Sequence, residues 1–293
     1  MRTLGEAALV LDAQAQLGEG PVWDPIASCL YFVDILRDSV RRFDPATQAS
    51  RTYYVNQPVG AVAPTERGDL VIAVRDGFAR LDPWRGDVTS IAPVEADRPD
   101  QRMNDGKCDP AGRFWAGTMA LDERPGAGAL YRLDIDGRAH QILAGVTTSN
   151  GLDWSDDGRV MYYVDSPTRA VDLFDFDVPT GAVANRRTLV RVPREQGVPD
   201  GLTLDAEGCV WVALWGGGAV HRYAPDGSLD AIVRVPTTYP TSCTFGGPDL
   251  RDLYITTARI KLSERERAEQ PLAGGLFRCR PGVQGRVANR FKG

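Results

Sequence analysis

Histidine is nearly missing from this chain, with two in 293 residues. His140 and His221 lie far apart, both at strand-like positions, which argues against a histidine-rich zinc or iron site. Cysteine is sparse: Cys29, Cys108, Cys209, Cys243 and Cys279 are scattered, odd in number and contain no C-x-x-C pair. Reduced, mostly buried thiols in a cytoplasmic protein are expected, rather than disulfides or a thiolate site. No apolar run reaches the roughly 18 residues that would span a membrane. The opening Met1-Arg2-Thr3-Leu4-Gly5-Glu6 lacks the basic start and apolar stretch of a signal peptide. Basic charge is not in excess: the net charge is −5 and the pI near 5.2, which counts against nucleic acid as a partner. No G-x-S-x-G marks a nucleophile elbow. No G-x-G-x-x-G or G-x-x-x-x-G-K-[ST] opens a helix after a strand, so no nucleotide-phosphate cradle is expected.

Glycine and proline, by contrast, are plentiful, at 31 and 20 residues. They favour short strands joined by tight turns over long helices. The chain is 43% hydrophobic and 25% charged, enough to bury a large core. With no linker or low-complexity tract in sight, residues 1–293 are expected to form a single domain.

Six segments follow one script. The second strand of each reads Cys29-Leu30-Tyr31-Phe32-Val33-Asp34, Leu70-Val71-Ile72-Ala73-Val74, Phe114-Trp115-Ala116-Gly117-Thr118, Val160-Met161-Tyr162-Tyr163-Val164-Asp165, Val210-Trp211-Val212-Ala213-Leu214 and Leu253-Tyr254-Ile255-Thr256-Thr257. Such β-branched and aromatic runs, bounded by turn formers, predict strands buried on both faces. Third strands such as Val40-Arg41-Arg42-Phe43-Asp44 and Val220-His221-Arg222-Tyr223 alternate apolar and polar residues, the pattern of a half-buried strand. The repeat length, roughly 40 to 50 residues, is that of four-stranded propeller blades. The expected fold is therefore all-β: a six-bladed β-propeller with four-stranded antiparallel blades. Ala7-Ala8-Leu9-Val10-Leu11 is expected to pair into the last blade and so remove an open edge. Lys261 to Glu269 is the one predicted helix.

One position recurs at the same phase of all six repeats. Its occupants are Glu19, Val59, Asp105, Asn150, Asp200 and Ser242, and in all but the last a glycine follows. The innermost strand of a propeller blade borders the central channel, so equivalent positions meet around the axis. Three carboxylates and an amide in one channel would repel each other unless neutralised, and a divalent cation with oxygen ligands is the natural remedy. The following glycine is expected to let the backbone turn closely at the channel rim. Taken singly, each Asp-Gly or Asn-Gly pair reads as a turn; the shared phase is what points to a site.

The motifs Leu17-Gly18-Glu19-Gly20-Pro21-Val22-Trp23, Arg102-Met103-Asn104-Asp105-Gly106-Lys107-Cys108-Asp109-Pro110-Ala111-Gly112-Arg113-Phe114-Trp115-Ala116-Gly117-Thr118-Met119, Ser149-Asn150-Gly151-Leu152 and Pro199-Asp200-Gly201-Leu202 resemble those of the SMP-30/gluconolactonase/regucalcin family. Cys243-Thr244-Phe245-Gly246-Gly247 and Tyr254-Ile255-Thr256-Thr257-Ala258-Arg259 extend the likeness to nearly the whole chain. The resemblance implies a sugar lactonase with one divalent metal in the channel, often calcium or zinc; oxygen ligands also suit magnesium, manganese and iron(II). It implies Glu19, Asn150 and Asp200 as metal ligands, with Arg102 and Asn104 as substrate contacts. A further acidic contact falls on Asp122 or Glu123. Asp105 belongs to the same signature and is placed as supporting the site. Asp200 is the expected general base for water attack on the lactone. The expected partner is a small sugar lactone, with the protein a monomer or weak homo-oligomer. The alternatives are a calcium-binding regulatory protein and a phosphotriesterase-like hydrolase using the same ion.

Overall fold

The computed structural model describes residues 2–293. Six sheets, each built on four antiparallel strands, form a six-bladed β-propeller. Blade 1 takes Gly18–Asp24, Cys29–Asp34, Ser39–Phe43 and Ser50–Tyr54, from the inside outwards. The inner strands of blades 2 to 6 are Val59–Pro64, Gln101–Cys108, Ser149–Trp154, Val198–Leu204 and Pro240–Gly246.

The core is divided into six apolar layers, one between each pair of neighbouring blades. Tyr31 and Val33 of blade 1 meet Val59 and Ile72 of blade 2, for example, and Trp115 of blade 3 meets Trp154 and Phe176 of blade 4. Each sheet is thus covered on both faces, which is why the second strands are uniformly apolar. The same layering corrects the expectation for the third strands. They are mostly buried, not half-buried; His221 is enclosed with its Nδ1 3.1 Å from the Tyr223 hydroxyl.

The ring closes as the sequence predicts. Ala8–Leu11 runs antiparallel to Leu276–Cys279, with Leu9 opposite Phe277. Unforeseen is the strand before it: Arg2–Glu6 pairs in parallel with Leu229–Arg234 and gives blade 5 a fifth strand. The helix is shorter than expected, Glu264–Glu269. Ser263 caps it, its hydroxyl oxygen accepting from the Glu266 amide while Glu266 accepts from the Ser263 amide, so the helix begins where its exposed amides find partners.

The last residues strap the far end of the channel, away from the ring position. Gln284 and Gly285 bond blades 5 and 6 through Ala206 and Leu250. Arg286 donates to the Trp154 carbonyl, Asn289 to the Cys108 carbonyl, and Arg290 to Asp24 and the Thr65 carbonyl. All six blades are touched. Between strap and ring lies a polar cavity of about 130 Å³ lined by Asp105, Lys107, Asp153, Ser242 and Arg286.

Candidate functional site

The six recurring positions share a structural device that the sequence did not disclose. Each inner strand loses its regular register at that point: between Glu19 and Val22, Val59 and Ala61, Met103 and Gly106, Ser149 and Leu152, Pro199 and Leu202, and Pro240 and Ser242. A bulge re-aims a side chain out of the pleat, and here it recurs in every blade at the channel.

The glycines after these positions serve a different purpose from the one expected. Gly60, Gly106, Gly151 and Gly201 lie inside strands, and only Gly20 has the left-handed φ, +52°. Their role is close approach of backbone. A Cβ on Gly60 would stand 2.4 Å from the Asn104 carbonyl, and one on Gly201 2.1 Å from the Ser242 hydroxyl, both on the next blade. Inner strands crowd where a propeller narrows to its axis, and only hydrogen fits between them.

Glu19, Asp105, Asn150 and Asp200 are all buried, as are Arg102 and Asn104. Burial pushes the Glu19 carboxyl well above the usual carboxylate range, and the charges of Asp200 and Asp105 push it further. Burial and then Asp105 do the same to Asp200. Asp105 is pushed up to about 6, chiefly by burial, with Lys107 working against the shift. The Arg102 guanidinium is brought down to about 10 by burial, while Glu19, Glu123 and Asp200 act in the other direction. The acids of blades 1, 3 and 5 thus share one electrostatic environment. Glu19 accepts from the Gly20 amide at 2.9 Å and Asp105 from the Gly106 amide at 2.7 Å.

A hydrogen-bonded chain links the polar members. Arg102 Nη1 donates to Asn104 Oδ1 at 2.6 Å. Asn104 Nδ2 donates to the Ser149 carbonyl at 2.7 Å and to Asn150 Oδ1 at 3.2 Å. Asn150 Nδ2 donates to Ser166 Oγ at 2.8 Å, and Ser166 Oγ donates to the Pro199 carbonyl, also at 2.8 Å. The chain runs from blade 3 through blade 4 to the residue before Asp200.

Asp122 and Glu123 differ in surroundings. Asp122 is engaged by Arg124 at 3.1 Å. Glu123 is the one whose charge reaches Arg102, and it also pairs with Lys261 at 3.8 Å. Among the described residues, no three His, Cys, Asp or Glu side chains form a cluster able to hold an ion by themselves.

Two further carboxylates escaped the sequence reading. Asp34 accepts from the Gln16 and Leu17 amides, both at 3.1 Å, and Asp165 from the Thr147 and Thr148 amides. They clamp the backbone just ahead of Glu19 and Asn150. The signal was present: Val33-Asp34 and Val164-Asp165 end two second strands in the same way.

Fold and site together define a six-bladed propeller with buried acids and amides converging at one end of its channel. The chain belongs to the family described as SMP-30/gluconolactonase/LRE-like, whose model matches residues 17–259. Among its relatives is regucalcin of Xenopus laevis, 40% identical, with 97% of each chain covered. A Bacillus subtilis protein, YvrE, provisionally named a sugar lactone lactonase, is also 40% identical, over 93% of this chain and 94% of its own. Of solved structures, the calcium-binding protein regucalcin of Agrobacterium tumefaciens superposes with a TM-score of 0.95 at 29% identity, over 100% of this chain and 99% of its own.

Proposed function

We propose that this channel hydrolyses a sugar lactone of the gluconolactone or pentonolactone type to its aldonic acid, with one divalent cation held by Glu19, Asn150 and Asp200. The observation that carries the reading is the buried acid pair. Asp200 and Asp105 both raise the cost of ionising Glu19, and Asp105 raises that of ionising Asp200; among the described residues none of the three takes part in an ion pair. Two carboxylates and an amide oxygen at one end of a channel are a fitting donor set for a hard or borderline cation. Calcium and zinc are the favoured ions; the donor types are also compatible with magnesium, manganese and iron(II).

The cation would act as a Lewis acid on the lactone carbonyl and on the oxyanion that develops there. The chain's own residues do the rest. Asp200 takes the proton of the attacking water through an oxygen not committed to the ion. As the tetrahedral centre collapses, the ring C–O bond breaks and the proton passes to the leaving alkoxide. Arg102, held by Asn104, anchors substrate hydroxyls or the forming carboxylate. Asn104 holds a substrate oxygen. Of the two acidic candidates, Glu123 is favoured over Asp122 because its charge bears on Arg102.

The relatives named regucalcin keep a second reading alive, a calcium-binding protein in which the same ring holds the ion without turnover. A pH-drop assay on a panel of gluconolactone and pentonolactones, with and without chelator, separates the two. Turnover that metal removal abolishes is expected. No turnover on any lactone, or turnover indifferent to complete metal removal, would sink the lactonase proposal.

A further inference from the structure

Blades 1 and 4 carry the same local scaffold around their ring residues. In each, an aspartate at the end of the second strand clamps two backbone amides ahead of the ring position. In each, a three-residue 3-10 turn follows, Ile35–Arg37 or Ser166–Thr168, closed by a left-handed residue, Asp38 or Arg169. The first residue of each turn donates its amide to the carbonyl of the same clamped segment, Ile35 to Leu17 and Ser166 to Thr148. Ile35 also stands as far along the chain from Glu19 as Ser166 does from Asn150. The two scaffolds differ at that residue: isoleucine in blade 1, whose ring residue is a carboxylate, and serine in blade 4, whose ring residue is an amide.

A carboxylate presents oxygen whichever way it turns, but a carboxamide does not. An asparagine can ligate a cation only through its oxygen, so its rotation by half a turn would aim an NH₂ group at the ion. The hydroxyl of Ser166 removes that ambiguity. Its one proton goes to the Pro199 carbonyl, which can only accept, at 2.8 Å. The oxygen facing Asn150 therefore offers lone pairs, and only the Nδ2 side of the amide can meet it, also at 2.8 Å. Asn150 Oδ1 is then left on the side of Asn104 and the channel.

We propose that Ser166 is a positioning residue that locks the Asn150 carboxamide with its oxygen toward the cation, a role needed only because blade 4 offers an amide where blade 1 offers a carboxylate. The inference rests on the metal-site reading above and deepens it. Partners behind a metal ligand typically affect affinity by one to two powers of ten.

The test is calorimetric titration of metal-stripped protein with Ca²⁺, Zn²⁺, Mn²⁺ and Mg²⁺ alone, using whichever binds wild type most tightly. Ser166→Ala should weaken binding on the order of tenfold, while Ser166→Thr, which keeps the hydroxyl, stays within about threefold of wild type on the same scale. In an Asn150→Asp background, where orientation no longer matters, adding Ser166→Ala should cost less than about twofold, the signature of a coupled pair. Unchanged affinity in Ser166→Ala would overturn the role. So would equal losses in Ser166→Ala and Ser166→Thr, or the same loss in both backgrounds. Wild-type protein that binds none of the four ions would instead bring down the metal site itself, and this role with it.

Discussion

The side-chain nitrogen of Asn104 lies 3.2 Å from the side-chain oxygen of Asn150, joining the inner strands of the neighbouring blades 3 and 4. Asn104 offers its own oxygen to Arg102, and Asn150 keeps one lone pair for another partner. The residues proposed to meet substrate and those proposed to hold the ion are thereby connected, and substitutions on one side should be felt on the other.

Asp200 is proposed as both ion ligand and base. Asp200→Asn should lower kcat/KM on the best lactone by a factor of about 10² to 10⁴, the range for a lost general base. The fold should persist, because burial already disfavours the charged carboxylate. Near-normal turnover in this variant would remove Asp200 from the chemistry.

Ion binding should stabilise the protein. At a free metal concentration about 100 times Kd, the gain is about 2.7 kcal/mol. For a chain of 293 residues that corresponds to a rise in Tm of about 4 °C. Chelator should reverse it. A melting curve that no divalent ion moves would speak against the donor set.

Asp105 links the site to pH. Its carboxyl is held up to about 6 in the folded protein, against an ordinary 3.8, chiefly by burial. A raised acid contributes stability that is present below the lower value and is lost as pH rises through the upper one. Metal-free Asp105→Asn should therefore be more stable than wild type at pH 7.5, by about 3 kcal/mol. At pH 4 the gap should close. A gap that does not depend on pH would mean that Asp105 is not charged and buried as the structure has it.

Glu123 and Asp122 can be told apart by KM. Glu123→Gln is expected to raise KM several-fold, at a cost of about 1 kcal/mol for one weakened polar contact, and Asp122→Asn to leave it unchanged. Asp122 is already engaged by Arg124. The reverse pattern would move the substrate contact to Asp122.

Gly201→Ala should destabilise the fold by about 1 to 3 kcal/mol, the range for an overpacked core, because its methyl would sit 2.1 Å from the Ser242 hydroxyl. Adding Ser242→Gly should recover much of the loss. No recovery in thermal melts would show that the strain lies in the backbone of blade 5.

The blades could be read directly from the sequence because their signal is local. Runs such as Cys29 to Asp34 and Val160 to Asp165 needed no distant information: a strand covered on both faces is apolar throughout, and turn formers bound it. The strand pairing of Ala8 to Leu11 into blade 6 followed from the demand that no edge stay open. What local reading could not supply was anything decided between strands. The parallel fifth strand of blade 5 and the C-terminal strap depend on partners hundreds of residues away. The burial of His221 depends on the sheet that covers it.

The site divides along the same line. The sequence alone determined which residues share one phase of the repeat, and hence that Glu19, Asp105, Asn150 and Asp200 border one channel, because residue type and spacing are properties of the chain. Only the tertiary structure decided how those residues present themselves. Bulges aim them at the axis, glycines let neighbouring inner strands close in, and Asp34, Asp165 and Ser166 set their approach from behind. Those are relations between segments far apart along the chain, and packing at the narrow centre of the propeller settles them.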